Sequence, residues 1–498
     1  MTDAVNRRKF IGATGTALSV GLGIGATGDA AALKSGYPSF PAAGAVYEDI
    51  AALVAQKPFI DTHEHLPPEA ERINHKDQDR HPAPDFGMLF SHYTDSDLQV
   101  SGMAHEDFKQ LIGRSLTPKE KWKLVAPWYD RCRHTGYQRC VRESIRALYD
   151  EDDISESNCE KISEQLSKDI RPGFYRHILR HVAHIEHAHV NGLESSVFRE
   201  SESADDLISF DLWIVSISSG LKLRTLRRYA EGDLVTLDQA HKTIDRIFEK
   251  FGPKAIAVKN QSAYGRRLDY AAVSDEDAAP LFQRLAQDES LNDTEMKALQ
   301  DNLFRHVLHC ATAFNLPVKL HTGYFAGHNV MDLARVRENL CDIARLAQDF
   351  PNTIFVLMHI AYPYQHELIA LCKHYANIYA DMCWSWIIDP ASASRFLGEF
   401  MMAAPACKLF TFGGDYIPVE LVAGHARMAR QGISRVIARL VAERWLDASD
   451  VPALVERIMR GNAKEVFDHE RVLRAPYPIL RPRTAKFKVE SVSPVCVK

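Results

Sequence analysis

From about residue 46 onward, short apolar runs alternate with longer stretches in which apolar residues recur at helical spacing. Side chains repeat every two residues on a strand and every 3.6 on a helix, so the two patterns separate buried strands from amphipathic helices. Buried strands are expected at 57–62, 183–190, 211–218, 255–259, 317–321, 353–359, 378–382 and 408–413. Helical spacing covers 119–148, 158–166 and 174–182, then a helix capped by Thr236 that runs to Phe251. It returns at 294–314, 331–349, 365–375, 394–403, 419–442 and 451–467.

Eight short buried runs separated by helices predict a closed parallel (β/α)8 barrel, the TIM-barrel architecture, with a doubly wound open sheet as the rival. The stretch 66–180 holds Pro-rich turns and helical patterns but no convincing buried strand, and neither of its ends looks like a flexible linker. It is read as a helical insertion after the first strand of a barrel spanning 46–470.

The polar residues favour the barrel. The active site of such a fold lies at the carboxyl ends of its strands. There the first strand offers His63 and His65, the fourth Lys259, the fifth His321 and the sixth His359, and Asp415 follows the eighth. His63 and His65 are two apart and so face the same way on a strand. With 22 histidines in the chain, one His-x-His pair means little, and each of these histidines alone is more readily a hydrogen-bonded core residue. Lys259 alone suits an ion-paired core position, and Asp415 alone suits a turn after Gly413-Gly414. Together, in order at one end of successive strands, they point to a site for zinc or a similar divalent ion with coordination left open for water. Glu64, between the two histidines, is read as an ion-paired residue behind the barrel wall.

Substrate clues are thinner. Arg266 and Arg267, after Tyr264 and the fourth strand, could grip a carboxylate. Trp384 and Trp386, with Tyr362 and Tyr364, could wall the metal or simply pack under a loop.

Composition narrows the partners. The chain is 46% hydrophobic and 25% charged with a formal net charge of −5, and carries no basic stripe interleaved with aromatics. A small-molecule substrate is expected, and neither a nucleic acid nor a membrane span. The nine cysteines are scattered with no Cys-x-x-Cys pair, so buried thiols are expected, with a Cys132–Cys140 bridge open in an oxidising compartment. At the N-terminus, Asn6-Arg7-Arg8-Lys9-Phe10 followed by a Gly/Ala-rich stretch and Ala30-Ala31-Ala32 reads as a twin-arginine export signal over 1–32, hence a periplasmic location. The polar tail 471–498 could wrap the barrel or a neighbouring subunit, which leaves a homo-oligomer open.

The ordered set His63-Glu64-His65, His321, His359 and Asp415 resembles the amidohydrolase superfamily over nearly the whole mature chain. Lys319-Leu320-His321-Thr322-Gly323-Tyr324, Leu357-Met358-His359-Ile360-Ala361-Tyr362-Pro363-Tyr364, Gly413-Gly414-Asp415 and Met459-Arg460-Gly461-Asn462-Ala463 look most like the amidohydrolase-2 group. His63-Glu64-His65-Leu66-Pro67-Pro68 and the insertion are similar to uronate isomerases. The resemblance implies that His63, His65, His321 and Asp415 hold one divalent ion, with Asp415 and His359 catalytic. If Lys259 is carboxylated as in binuclear relatives, two ions are implied; one is favoured. The implied activity is metal-dependent hydrolysis of an amide, lactam or ester. A sugar-acid isomerase and a non-oxidative decarboxylase are rivals, and a non-enzymatic metal store or solute-binding protein stands further off.

Overall fold

The computed structural model describes residues 43–74, 82–193, 196–200, 205–329 and 331–470. The expected export signal at 1–32 and the tail at 471–498 lie outside them. Eight parallel strands follow one another around the sheet in chain order. They are β1 (Phe59–Glu64), β2 (Ile185–Val190), β3 (Ile208–Trp213), β4 (Ala255–Asn260), β5 (Val318–Leu320), β6 (Phe355–Leu357), β7 (Ile378–Asp381) and β8 (Leu409–Phe410). A doubly wound sheet would reverse its order at a switch point, and this one never does. The seam between β8 and β1 closes just past the last strand. The Thr62 amide donates to the Phe412 carbonyl at 3.1 Å, that of Asp415 to His63 at 2.8 Å, and that of His65 to Tyr416 at 3.0 Å.

Helix starts follow the sequence. Thr236 and Gln239 form a reciprocal capping box at the head of Leu237–Phe251, as do Asn292 and Glu295 at Asp293–Ala313. Two expectations change. The stretch 119–148 is two helices, Pro118–Cys132 and Gly136–Tyr149, because Thr135 breaks the run and accepts from the Gln138 amide to start the second. The third strand begins three residues earlier than expected, and Val215–Ser218 turns into a helix. A short apolar run does not reveal its own period, so Leu212–Ile217 reads equally well as strand.

Between β1 and β2 the described residues are largely helical, and this insertion seats on the Val419–Ala442 helix. Gly424 is the point of closest approach: a Cβ there would stand 2.3 Å from the Cys140 carbonyl oxygen. Nearby, Arg72 and Glu420 form a buried ion pair at 2.8 Å. Cys132 and Cys140 are both free, so the bridge left open does not form. Inside the barrel the Lys319 ammonium on β5 crosses to Asp211 on β3 at 2.8 and 3.0 Å, and also donates to the Thr62 carbonyl at 2.8 Å. Both side chains are fully buried. No helix among the described residues is long and apolar enough to cross a membrane.

Candidate metal centre

The carboxyl ends of β1, β4, β5 and β6 and the turn after β8 converge at the barrel mouth. His63 Nε2 and His65 Nε2 each lie 3.2 Å from Asp415 Oδ1. His359 Nδ1 lies 3.7 Å from Asp415 Oδ2. His63, His65 and Asp415 present ligand atoms within 4.8 Å of one another. His321, the fourth expected ligand, is adjacent but turned aside: its Nδ1 meets His359 Nε2 and its Nε2 meets the Tyr324 carbonyl, each at 2.9 Å.

The donor set fits a divalent cation. The Asn191 carbonyl can only accept, so His65 Nδ1, 3.0 Å away, carries the hydrogen. In the neutral ring Nε2 then directs a lone pair at a carboxylate oxygen. Burial, and next the Lys259 ammonium, hold His63 well below the usual imidazole range, so its ring is neutral. Its Nδ1 has no hydrogen-bond partner. Two imidazoles and a carboxylate with almost no solvent suit a positive ion between them.

Several backbones here are left-handed. Asp415 (φ 60°), Trp384 (φ 64°), Tyr93 (φ 66°) and the run His359, Ile360 and Ala361 (φ 62°, 47° and 52°) all surround the site. Each such non-glycine residue costs of order 1–3 kcal/mol and persists only where its surroundings enforce it. Gly414 shows the enforcement, because a Cβ there would lie 1.9 Å from Glu64 Oε1. Glu64 is thus not ion-paired behind the wall. It is fully buried, accepts the Tyr416 amide at 2.8 Å and lies beside Asp61. Burial, and next the Asp61 carboxyl, push its pKa well up; burial raises Asp61 to about 7. Asp61 Oδ2 and Glu64 Oε1 both lack a donor, and one proton held between the two carboxyls answers both.

Lys259 is fully buried, 3.3 Å from His63 Nε2 and 2.7 Å from Met358 Sδ. Burial brings it down to about 8 against the opposing pull of Asp415. Its Nζ stands beside His63, and His321 and His359 bond to each other.

Arg266 and Arg267 do not face the centre. Arg266 lies over the Tyr270 ring at 4.2 Å, pairs with Asp301 and donates to Gln300 at 3.2 Å. Arg267 reaches Asp342 at 2.9 Å and Glu338 at 3.2 Å on the outer surface. Trp384 does face it, edge-on to His359 with centroids 5.2 Å apart. Trp386 points away and donates to the Thr411 carbonyl at 2.9 Å. The aromatic wall is instead Trp384 with Tyr93 stacked at 4.6 Å, Tyr137 at 6.4 Å and Tyr324 at 5.9 Å, while Tyr264 packs on His321 at 4.6 Å. Tyr93 and Tyr137 come from the insertion, and no local sequence signal announced them. Lys319 was legible, because it stands two before His321 on one strand and so faces the same interior.

Residues 232–468 match a family model described as Amidohydrolase. Protein fluG of Emericella nidulans is 31% identical over 178 residues, which are 33% of this chain and 20% of that protein, so the chain spans about a fifth of the curated relative. The fold is similar to that of a uronate isomerase from Thermotoga maritima: TM-score 0.68, 16% identity, 85% of this chain and 97% of that one. A glucuronate isomerase from Caulobacter crescentus also gives 0.68, at 18% identity over 87% of this chain and 95% of that one.

Proposed function

We propose that this chain, whose residues 232–468 match the Amidohydrolase family model, is a metal-dependent hydrolase of the amidohydrolase superfamily acting on an amide, lactam or ester bond of a small molecule. The observation that carries the reading is the approach of His63 and His65 to one carboxylate oxygen while His359 stands at the other. His63, His65 and Asp415 would hold the ion, with zinc the natural choice for two imidazoles and a carboxylate. When bound, such an ion lowers the pKa of water from ~15.7 towards ~7 and polarises a carbonyl.

The chain's own residues do the rest. Asp415 Oδ2 takes the proton of the attacking water and returns it to the leaving group. His359, kept neutral by burial and next by His321, serves as hydrogen-bonding partner to the reacting oxygen. Its orientation comes from His321, whose other nitrogen is engaged by the Tyr324 carbonyl. Trp384 and the tyrosines around it exclude bulk water, which strengthens each of these interactions. One ion per chain is proposed, since the ligand atoms that converge at the mouth among the described residues are those of His63, His65 and Asp415. His321 would join the ion by releasing His359 from Nδ1 or the Tyr324 carbonyl from Nε2.

A second reading is isomerisation of a sugar acid related to glucuronate. It is supported by the fold likeness to uronate isomerases over most of the chain, and in it Asp415 and His359 would shuttle a proton between adjacent carbons. Isotopically labelled water separates the two. Hydrolysis places the label in the product with the substrate bond cleaved, whereas isomerisation leaves the skeleton whole; release of carbon dioxide would instead mark a decarboxylase. His65→Ala should lose the ion, and with it turnover, on metal analysis of purified protein; full metal content in that variant would remove the proposed ligand set. Export to the periplasm by the twin-arginine route is proposed from Arg7-Arg8, and replacing both with lysine should retain the protein inside the cell.

A further inference from the structure

Away from the barrel mouth, the helices Leu237–Phe251 and Asp293–Ala313 lead into β4 and β5. His241 and Asp245 stand one turn apart on the first, and His306 and Cys310 one turn apart on the second. His306 Nε2 lies 2.8 Å from Asp245 Oδ1, and the Cys310 thiol donates to the same oxygen at 3.3 Å. All three ligand atoms fall within 4.8 Å of one another. The His241 ring lies parallel on His306, with centroids 4.1 Å apart and planes at 3°. Its Nε2 meets Asn302 Oδ1 at 2.9 Å, and Asn302 donates to Asp275 at 2.8 Å.

We propose that this helix pair is a second metal site, taking a borderline divalent ion such as zinc through Asp245, His306 and Cys310. A nitrogen, a sulfur and an oxygen are a usual tetrahedral zinc set. Ligands at about 2.0–2.3 Å from such an ion stand roughly 3.3–3.6 Å apart, so the two contacts to Asp245 need to open by about half an ångström or less. Thiolate and carboxylate together neutralise a doubly charged ion. On binding, the thiol proton leaves to solvent and any proton on His306 Nε2 moves to Nδ1 through water, so one proton is released per ion from the neutral ring. Cys310 is largely buried, whereas the Asp245 side chain is 46% exposed, which gives the ion a way in and a free position for water. His241, held by Asn302, steadies the imidazole ligand by stacking. The bound ion staples together the helices that precede the strands of Lys259 and His321.

Cobalt titration of the full chain tests this. A cobalt–thiolate charge-transfer band in the near ultraviolet should appear with one ion beyond those at the barrel mouth. Cys383 lies 3.3 Å from His359 and could give such a band itself, so two variants are compared. The band and the extra ion should vanish in Cys310→Ser and persist in Cys383→Ser, and Asp245→Ala should weaken binding about tenfold or more. In the unmodified chain, zinc should slow thiol labelling of Cys310 and leave the exposed Cys341 unchanged. A band absent from the unmodified chain, a band that survives Cys310→Ser, or labelling of Cys310 indifferent to zinc would each overturn the site.

Discussion

The phenolic hydroxyl of Tyr93 donates to the main-chain carbonyl of Asp415 at 2.7 Å. One partner belongs to the helical insertion and the other to the turn after β8, and both have left-handed backbones. Burial, and next the nearby Asp415, hold the hydroxyl well above the usual phenol range, so it stays a donor across the working pH range. The insertion therefore helps fix the carboxylate at the centre.

Tyr93→Phe removes that bond and keeps the stack on Trp384. One hydrogen bond is worth about 1 kcal/mol. The variant should retain its ion and lose about fivefold in kcat with KM little changed. Steady-state kinetics with metal analysis checks this, and an unchanged kcat would show that the insertion does not position Asp415.

Arg266 and Arg267 are occupied, so neither should govern substrate affinity. Arg266→Ala leaves the buried Asp301 short of a partner and should cost about 3 kcal/mol. Arg267→Ala, at an exposed pair, should cost about 1 kcal/mol or less. KM should stay unchanged in both; a clear rise in either would return that arginine to the substrate site.

The ion pair inside the barrel should be fragile to truncation of one side. Lys319→Met strands the Asp211 carboxylate in the interior and should cost about 3–5 kcal/mol. Adding Asp211→Leu should recover most of that loss. Chemical denaturation of the single and double variants measures both, and equal stability of Lys319→Met and the parent would refute the pairing as a structural element.

Asp61 and Glu64 give stability a pH dependence. Asp61 rises from 3.8 to about 7 on folding, so between those values the folded state holds a proton that the unfolded chain has released. Stability from this pair is present at low pH and declines as pH climbs through about 7. Asp61→Asn keeps an acceptor for the His63 and Gly414 amides and offers Glu64 a donor. Its melting temperature should change less than the parent's between pH 5 and pH 8, and a parallel decline would contradict the shared proton.

Much of the barrel was legible because buried parallel strands are short apolar runs and their ends carry the polar residues. His63, His65, His321, His359 and Asp415 were found by their order along the chain. The local sequence hid what depends on rotation and long-range contact. Which nitrogen His321 presents is decided by the Tyr324 carbonyl and His359, and Arg266 and Arg267 are captured by Asp301 and Asp342, 35 and 75 residues away. Tyr93 and Tyr137 reach Trp384 only because the insertion folds back over the mouth. Asp211 was taken as a strand start, although its position on β3 puts it opposite Lys319.

The layered rings over the centre set a toll on ligand capture. His63 and His359 are fully buried, His65 is 7% exposed and Asp415 3%, with Trp384 sealed beneath Tyr93 and Tyr137. If a substrate reaches the carboxylate through these rings, it does so in moments when that lamination parts. Its apparent affinity is then the intrinsic one scaled by the fraction of time spent ajar, so loosening the aromatic contacts tightens binding by raising that fraction.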